Sequence, residues 1–248
     1  MALPHSVIRV VRVFRGEIFR GEIFRGAIFR GPFLRGLALV LLSAAPAVAQ
    51  TDGTCIPVSE RAGREFGCFI TAREELGALT SQPPLFWHIE SFPTVAAANA
   101  AKGPRGTVVE SLGQVWLFTI AAADFKAKAG THLTTIGPLP LIRADRYAAV
   151  YMEGVFQPGM STQVHRHPGM EAWYTLDGAM CLETPEGRME QKAGDPGILV
   201  RDGLPMMLTG TGTGPRRSLV LILQDTTLPR STPAHDWTPK GLCTQPQH

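Results

Sequence analysis

"GMSTQVHRHPGMEAWYTLDG", Gly159 to Gly178, decides how this chain of 248 residues is to be read. Two histidines stand two residues apart, a glutamate follows four residues after the second, and a glycine closes each end. In extended backbone the side chains alternate between faces, so His165 and His167 share one face and Arg166 takes the other. Pro168 and Gly169 then turn the chain, and Glu171 opens a new strand facing back towards the imidazoles. Two neutral imidazoles and a carboxylate on one concave wall form a facial set suited to Fe(II), Mn(II), Zn(II) or Ni(II), with positions left open for water or substrate. By the same alternation Trp173 shares the inward face with Glu171, where it is expected to pack in the core.

The surroundings of this stretch are those of an all-β domain. From Gly106 to Asp225 short apolar or alternating runs recur with turn residues between them: "TVVES", "QVWLFTI", "HLTTIG", "YAAVYMEGVF", "EAWYTL", "AMCLE", "GILV" and "SLVLIL". That spacing predicts a β-sandwich or barrel over 106–225. Asp177-Gly178 and Glu186-Gly187 sit between strand-like runs, and Asp-Gly offers the positive φ of a tight hairpin, so the flanking strands are expected to be antiparallel neighbours. Arg216-Arg217 reads as the solvated start of the last strand. Residues 50–105 read as an irregular lead-in with a short helix near Thr71 to Leu79. A second, alanine-rich helix is opened by Pro93-Thr94 and stopped by Gly103. Residues 226–248, rich in Pro and Thr, read as an extended tail laid over the surface.

Gly159-x5-His165-x-His167-x3-Glu171-x6-Gly178 matches in full the first motif of the cupin superfamily. The resemblance implies a double-stranded β-helix, the cupin jelly-roll barrel, with a divalent metal in its interior. The family's second motif, Gly-x5-Pro-x-Gly-x2-His-x3-Asn, is only partly present. "GDPGILVRDGLPMML" keeps Gly194 and Gly203 with one residue more between them, has Arg201 where proline is usual, and places Met206 where the last histidine ligand would fall. The exported chain is also similar to uncharacterised secreted bacterial cupin-domain proteins.

Four fates for the missing ligand stay open. Two histidines and a glutamate suffice by themselves, as in facial-triad iron centres. Met206 could supply a soft thioether that favours copper, although a methionine there is more often core filler. His88 or His132 could complete the set from a distance, although each of these, like His235, more often serves on a surface or in a hydrogen bond. Finally, the three groups could form a metal-free polar patch.

The first 49 residues fall outside the domain. "VFRGEIFRGEIFRGAIFRGPFLRG" repeats Phe, Arg and Gly with a period of five, which matches neither helix nor strand. The apolar run "LALVLLSAAPAVA" follows, ending in small residues. The order is that of a secretory signal peptide cleaved after Ala49, and the run is too short for a membrane span. Removing its seven arginines from the 24 basic residues and its two glutamates from the 21 acidic ones changes the net charge from +3 to −2. The remainder has no basic footprint for nucleic acid.

Export to the periplasm or beyond exposes all four cysteines to oxidation. Cys55 with Cys68 and Cys181 with Cys243 are the expected pairs, the second tying the tail to a strand. The combined expectation is an exported cupin that binds a divalent ion (Fe, Mn, Zn, Ni or Cu) and admits a small organic ligand, with a homodimer through a sheet edge as the default assembly. Oxygenase-, isomerase- or lyase-type chemistry all fit this expectation. The absence of a Ser-His-Asp order, a phosphate-binding glycine loop or a second carboxylate pair from the sequence disfavours hydrolase and nucleotide roles. The rival class is a non-catalytic extracytoplasmic protein that binds a small molecule or copper.

Overall fold

The computed structural model describes residues 55–142, 144 and 146–244. The basic repeat, the signal peptide and its cleavage site lie outside these described residues. In chain order the strands are β1 (Ile56–Pro57), β2 (Gly67–Gly77), β3 (Leu85–Phe92), β4 (Gly106–Ser111), β5 (Gln114–Ala122), β6 (Thr131–Ile136), β7 (Tyr147–Phe156) and β8 (His165–Arg166). They continue as β9 (Met170–Asp177), β10 (Ala179–Thr184), β11 (Gly187–Lys192), β12 (Ile198–Val200), β13 (Met207–Thr211), β14 (Arg216–Asp225) and β15 (Thr232–Pro233). One helix, α1 (Val95–Ala101), lies between β3 and β4, and the Thr94 hydroxyl caps it by accepting from the Ala97 amide.

From Tyr147 onward the chain winds back and forth between two sheets. One sheet has the order β1-β2-β7-β14-β9-β12. The other has β11-β10-β13, extended by the bridges Ser161 to Thr209 and His165 to Met206 that bring in β8 and, through it, β15. Strands β7, β9, β12 and β14 belong to the first sheet, and β8, β10, β11 and β13 to the second, so successive turns of chain visit the sheets alternately. That winding is a double-stranded β-helix. The inward residues Val150, Met152, Trp173, Val220 and Ile222 of the first sheet meet Met180, Leu182, Met206 and Leu208 of the second in one apolar core.

A third layer covers the outside of the first sheet. Strands β4-β5-β3-β6 form a separate antiparallel sheet. Its Trp87, Ile89, Phe118 and Ile120 pack on the outward residues Tyr151, Ala172, Leu219 and Leu221. The first sheet is therefore apolar on both faces, which is why "YAAVYMEGVF" is buried at every position. Sheet membership does not follow the expected boundaries. Runs 106–136 belong to this covering layer rather than to the barrel, and the expected lead-in contributes β2 to a barrel sheet.

Two further expectations are corrected. Thr71 to Leu79 is not helical, because β2 extends to Gly77 and pairs along β7; the helix-forming composition of "TAREELG" yields to that pairing. Asp177-Gly178 is not a hairpin. Gly178 (φ 70°) carries the chain from β9 in one sheet to β10 in the other, and a Cβ there would lie 2.7 Å from the Pro215 carbonyl oxygen. By contrast β10 and β11, on either side of Pro185-Glu186, do form an antiparallel pair closed at Thr184 and Gly187.

Both expected disulfides are present, Cys55–Cys68 and Cys181–Cys243. They fit an oxidising, extracytoplasmic environment. No helix among the described residues is long and apolar enough to cross a membrane.

Candidate metal centre

His165 and His167 enter the barrel from the short β8, and Glu171 from the start of β9. Pro168-Gly169 is the turn between them, and it runs against the end of β14: a Cβ on Gly169 would stand 2.1 Å from the Leu223 carbonyl oxygen. Only glycine lets the turn sit this close, and this approach sets the start of β9 opposite the imidazoles.

The three side chains converge as alternation requires. Each offers one ligand atom, and these atoms all lie within 4.8 Å of one another. The histidine rings stand edge to face with centroids 4.9 Å apart, and His167 Nε2 is 3.5 Å from Glu171 Oε2. All three residues are buried, at 8%, 5% and 6% exposure.

What lies behind the rings matters as much. His165 Nδ1 is 2.8 Å from the Gln163 carbonyl oxygen, and His167 Nδ1 is 2.7 Å from that of Arg230. A carbonyl can only accept, so in both rings Nδ1 carries the proton and Nε2 keeps its lone pair for the centre. Burial holds His165 below the ordinary imidazole range, helped by the neighbouring His167. Burial pushes His167 down to about 4. Both rings are thus neutral at physiological pH, as a metal ligand must be. Glu171 is pushed up to about 7, chiefly by burial, against the pull of His165 and Arg216. Its Oε2 has no hydrogen-bond partner among the described residues. A buried carboxylate oxygen left unpaired beside two lone pairs is costly unless a cation joins them. The donor set therefore fits a divalent ion, and these three residues could hold one.

The remaining histidine candidates lie elsewhere, whereas Met206 stands directly across from His165. Met206 pairs with His165 across the bridge and is buried in the barrel core, and the cavity wall beside the triad is formed instead by Met152 and Leu208. His88 sits in the covering layer, its Nε2 bonded to the Ala122 carbonyl and its Nδ1 to the Thr135 hydroxyl. His132 pairs with Glu90 in the same layer, and His235 is exposed on the tail. Trp173 is fully buried in the barrel core, as alternation implies.

Two site residues escaped the sequence reading. Arg216 was expected in solvent, but it is 2% exposed and lines the cavity. The signal was available: alternation along "RRSLVLIL" puts Arg216 on the face of Ser218, Val220 and Ile222. Arg230 had no such signal. It belongs to the tail, which β15 pairs against β8, and its carbonyl anchors His167 while its side chain lines the cavity and donates to the Cys55 carbonyl.

Strand order makes this a double-stranded β-helix, the fold that the resemblance of the Gly159 to Gly178 motif implies. No family model and no curated protein matches the chain. Among solved structures the chain is similar to a DMSP lyase structure, at 18% identity over 35% of this chain and 44% of that one, with a TM-score of 0.31. It is similar to a cupin superfamily protein from Desulfitobacterium hafniense, at 19% identity over 34% and 73% of the two chains, with a TM-score of 0.29. It is also similar to a double-stranded β-helix protein from Klebsiella pneumoniae, at 18% identity over 36% and 76%, with a TM-score of 0.32. The matched region spans less than half of the first of these.

Proposed function

We propose that the chain is an exported metal-binding cupin that holds one divalent ion through His165, His167 and Glu171 and admits a small organic ligand beside it. The observation that carries this reading is the pair of Nδ1–H donations to the Gln163 and Arg230 carbonyls, which aim both Nε2 lone pairs at the unpaired Glu171 oxygen. When bound, the ion would supply Lewis-acid or, for iron, manganese or copper, redox chemistry at the open positions. The chain itself contributes an apolar wall of Phe156, Leu208, Val220 and Ile222 beside the site. An oxygenase- or isomerase-type reaction fits this arrangement.

The test is metal analysis of protein purified after export. Wild type is expected to carry about one equivalent of a transition metal, and His165→Ala to carry none while keeping its fold by circular dichroism. A metal-free wild type that cannot be loaded overturns the reading in favour of a metal-free polar binding patch. A copper-only site emptied by Met206→Leu points instead to copper handling.

A further inference from the structure

The cavity that receives the metal ligands also receives an arginine, Arg216, two of whose guanidinium nitrogens have no hydrogen-bond partner among the described residues. Arg216 lies at the start of β14, paired with Phe156 of β7 and turned inward with Ser218 and Val220. Its guanidinium is fully enclosed and approaches the Phe156 ring at 5.7 Å, and among the described residues its Nε and Nη2 find no hydrogen-bond partner. Those two donors form one edge of the guanidinium fork, the edge that meets both oxygens of a carboxylate side by side. An unpaired buried cation is costly to fold around, and Glu171, the carboxylate in the same cavity, lies beyond ion-pair distance of it.

Charge makes the same point independently. The charged side chains lining the cavity are Arg216, Arg230 and Glu171, two cations against one anion. A divalent ion at the triad would deepen the excess. The cavity measures about 50 Å³, several times the roughly 10–15 Å³ that one water needs, so the compensating anion has to be small. The apolar side chains of Met152, Leu208 and Ile222 on its wall suit a short hydrocarbon portion rather than a bare inorganic ion.

We infer that the ligand of this cavity is a small carboxylic acid whose carboxylate pairs side-on with Arg216, with Arg230 adding positive charge at the tail side. The inference deepens the metal-site reading and rests on it only for the end of the acid that faces the triad. Arg216 is on this account the group that selects ligands by charge.

The test uses titration calorimetry on the full exported chain, metal-free and Mn(II)-loaded, with acetate and glycolate against their neutral counterparts acetamide and glycolamide. The expected result is saturable binding of a carboxylate but of neither amide, weakened about tenfold or more in Arg216→Met. Arg216→Lys, which keeps the charge and loses the fork, is expected to fall between. Should either variant fail to fold, wild-type protein decides alone: the Arg216 Nε–H resonance is expected to move on adding the carboxylate and to stay put on adding the amide. Equal binding of acid and amide, equal binding by wild type and Arg216→Met, or an unmoved Nε–H resonance overturns the inference. Mn(II) titrated alone separates the two readings. Mn(II) bound with no carboxylate uptake sinks this inference and leaves the metal site standing, whereas carboxylate uptake without any metal binding does the reverse.

Discussion

A buried imidazole serves as a ligand only when something fixes which nitrogen carries the proton, and this chain uses the same residue type in two ways according to that rule. At His165 and His167 a carbonyl claims Nδ1 and leaves Nε2 free. At His88 both nitrogens are taken, one by the Ala122 carbonyl and one by the Thr135 hydroxyl, so the ring is structural. Burial lowers the His88 pKa from 6.5. The unfolded chain then binds a proton more readily than the folded one, so the stability due to neutral His88 is present above pH 6.5 and is lost as pH falls through the lowered value. Denaturant titrations across that window are expected to give a shallower loss of stability on acidification for His88→Gln than for wild type. Identical slopes would show that the ring titrates alike in both states.

At the scale of elements, local preference and long-range pairing compete, and the outcomes can be traced. Composition predicts a helix at "TAREELG", yet β7 offers a full antiparallel partner, and the segment becomes β2. Asp177-Gly178 has the residues of a hairpin turn, yet the bend leads to a different sheet because β9 is already flanked by β14 and β12. Close packing of backbone on backbone is most demanding at Gly169. Gly169→Ala is expected to cost roughly 2–4 kcal/mol of stability and to weaken metal binding, since the displaced turn moves Glu171 away from the histidines. Gly194→Ala, at a positive φ with open space around it, is expected to cost about 1 kcal/mol and leave metal binding unchanged. Thermal denaturation and metal titration of the two variants check this contrast, and equal effects would mean that the turn can relax without disturbing the site.

Over the whole molecule, three stacked sheets bury a central one on both sides, and the tail is drawn into the site it covers. The contacts that hold that tail include the β15–β8 pairing, the Cys181–Cys243 disulfide, and the buried Glu183 carboxylate, which accepts from the Lys240 and Leu242 amides. The disulfide spans 62 residues against 13 for Cys55–Cys68. On loop entropy its loss costs roughly 4 kcal/mol against roughly 3 for the shorter one. The Cys181→Ala/Cys243→Ala double variant is therefore expected to be less stable to urea than Cys55→Ala/Cys68→Ala. It is also expected to bind metal more weakly, because a loosened tail withdraws the Arg230 carbonyl from His167. Unchanged metal affinity in that variant would show that β15 alone holds the carbonyl in place.

Much of this protein was legible in one dimension. Eight of the strands, the α1 helix and the convergence of His165, His167 and Glu171 follow from alternation, capping and spacing, which are properties of neighbours along the chain, while the disulfides are the favoured one of three possible pairings. The covering sheet, the switch at Gly178 and the tail carbonyl behind His167 were settled by folding alone. Each depends on surfaces contributed by residues dozens of positions apart, and no local pattern records which of two competing long-range partners buries more apolar area or satisfies more backbone groups.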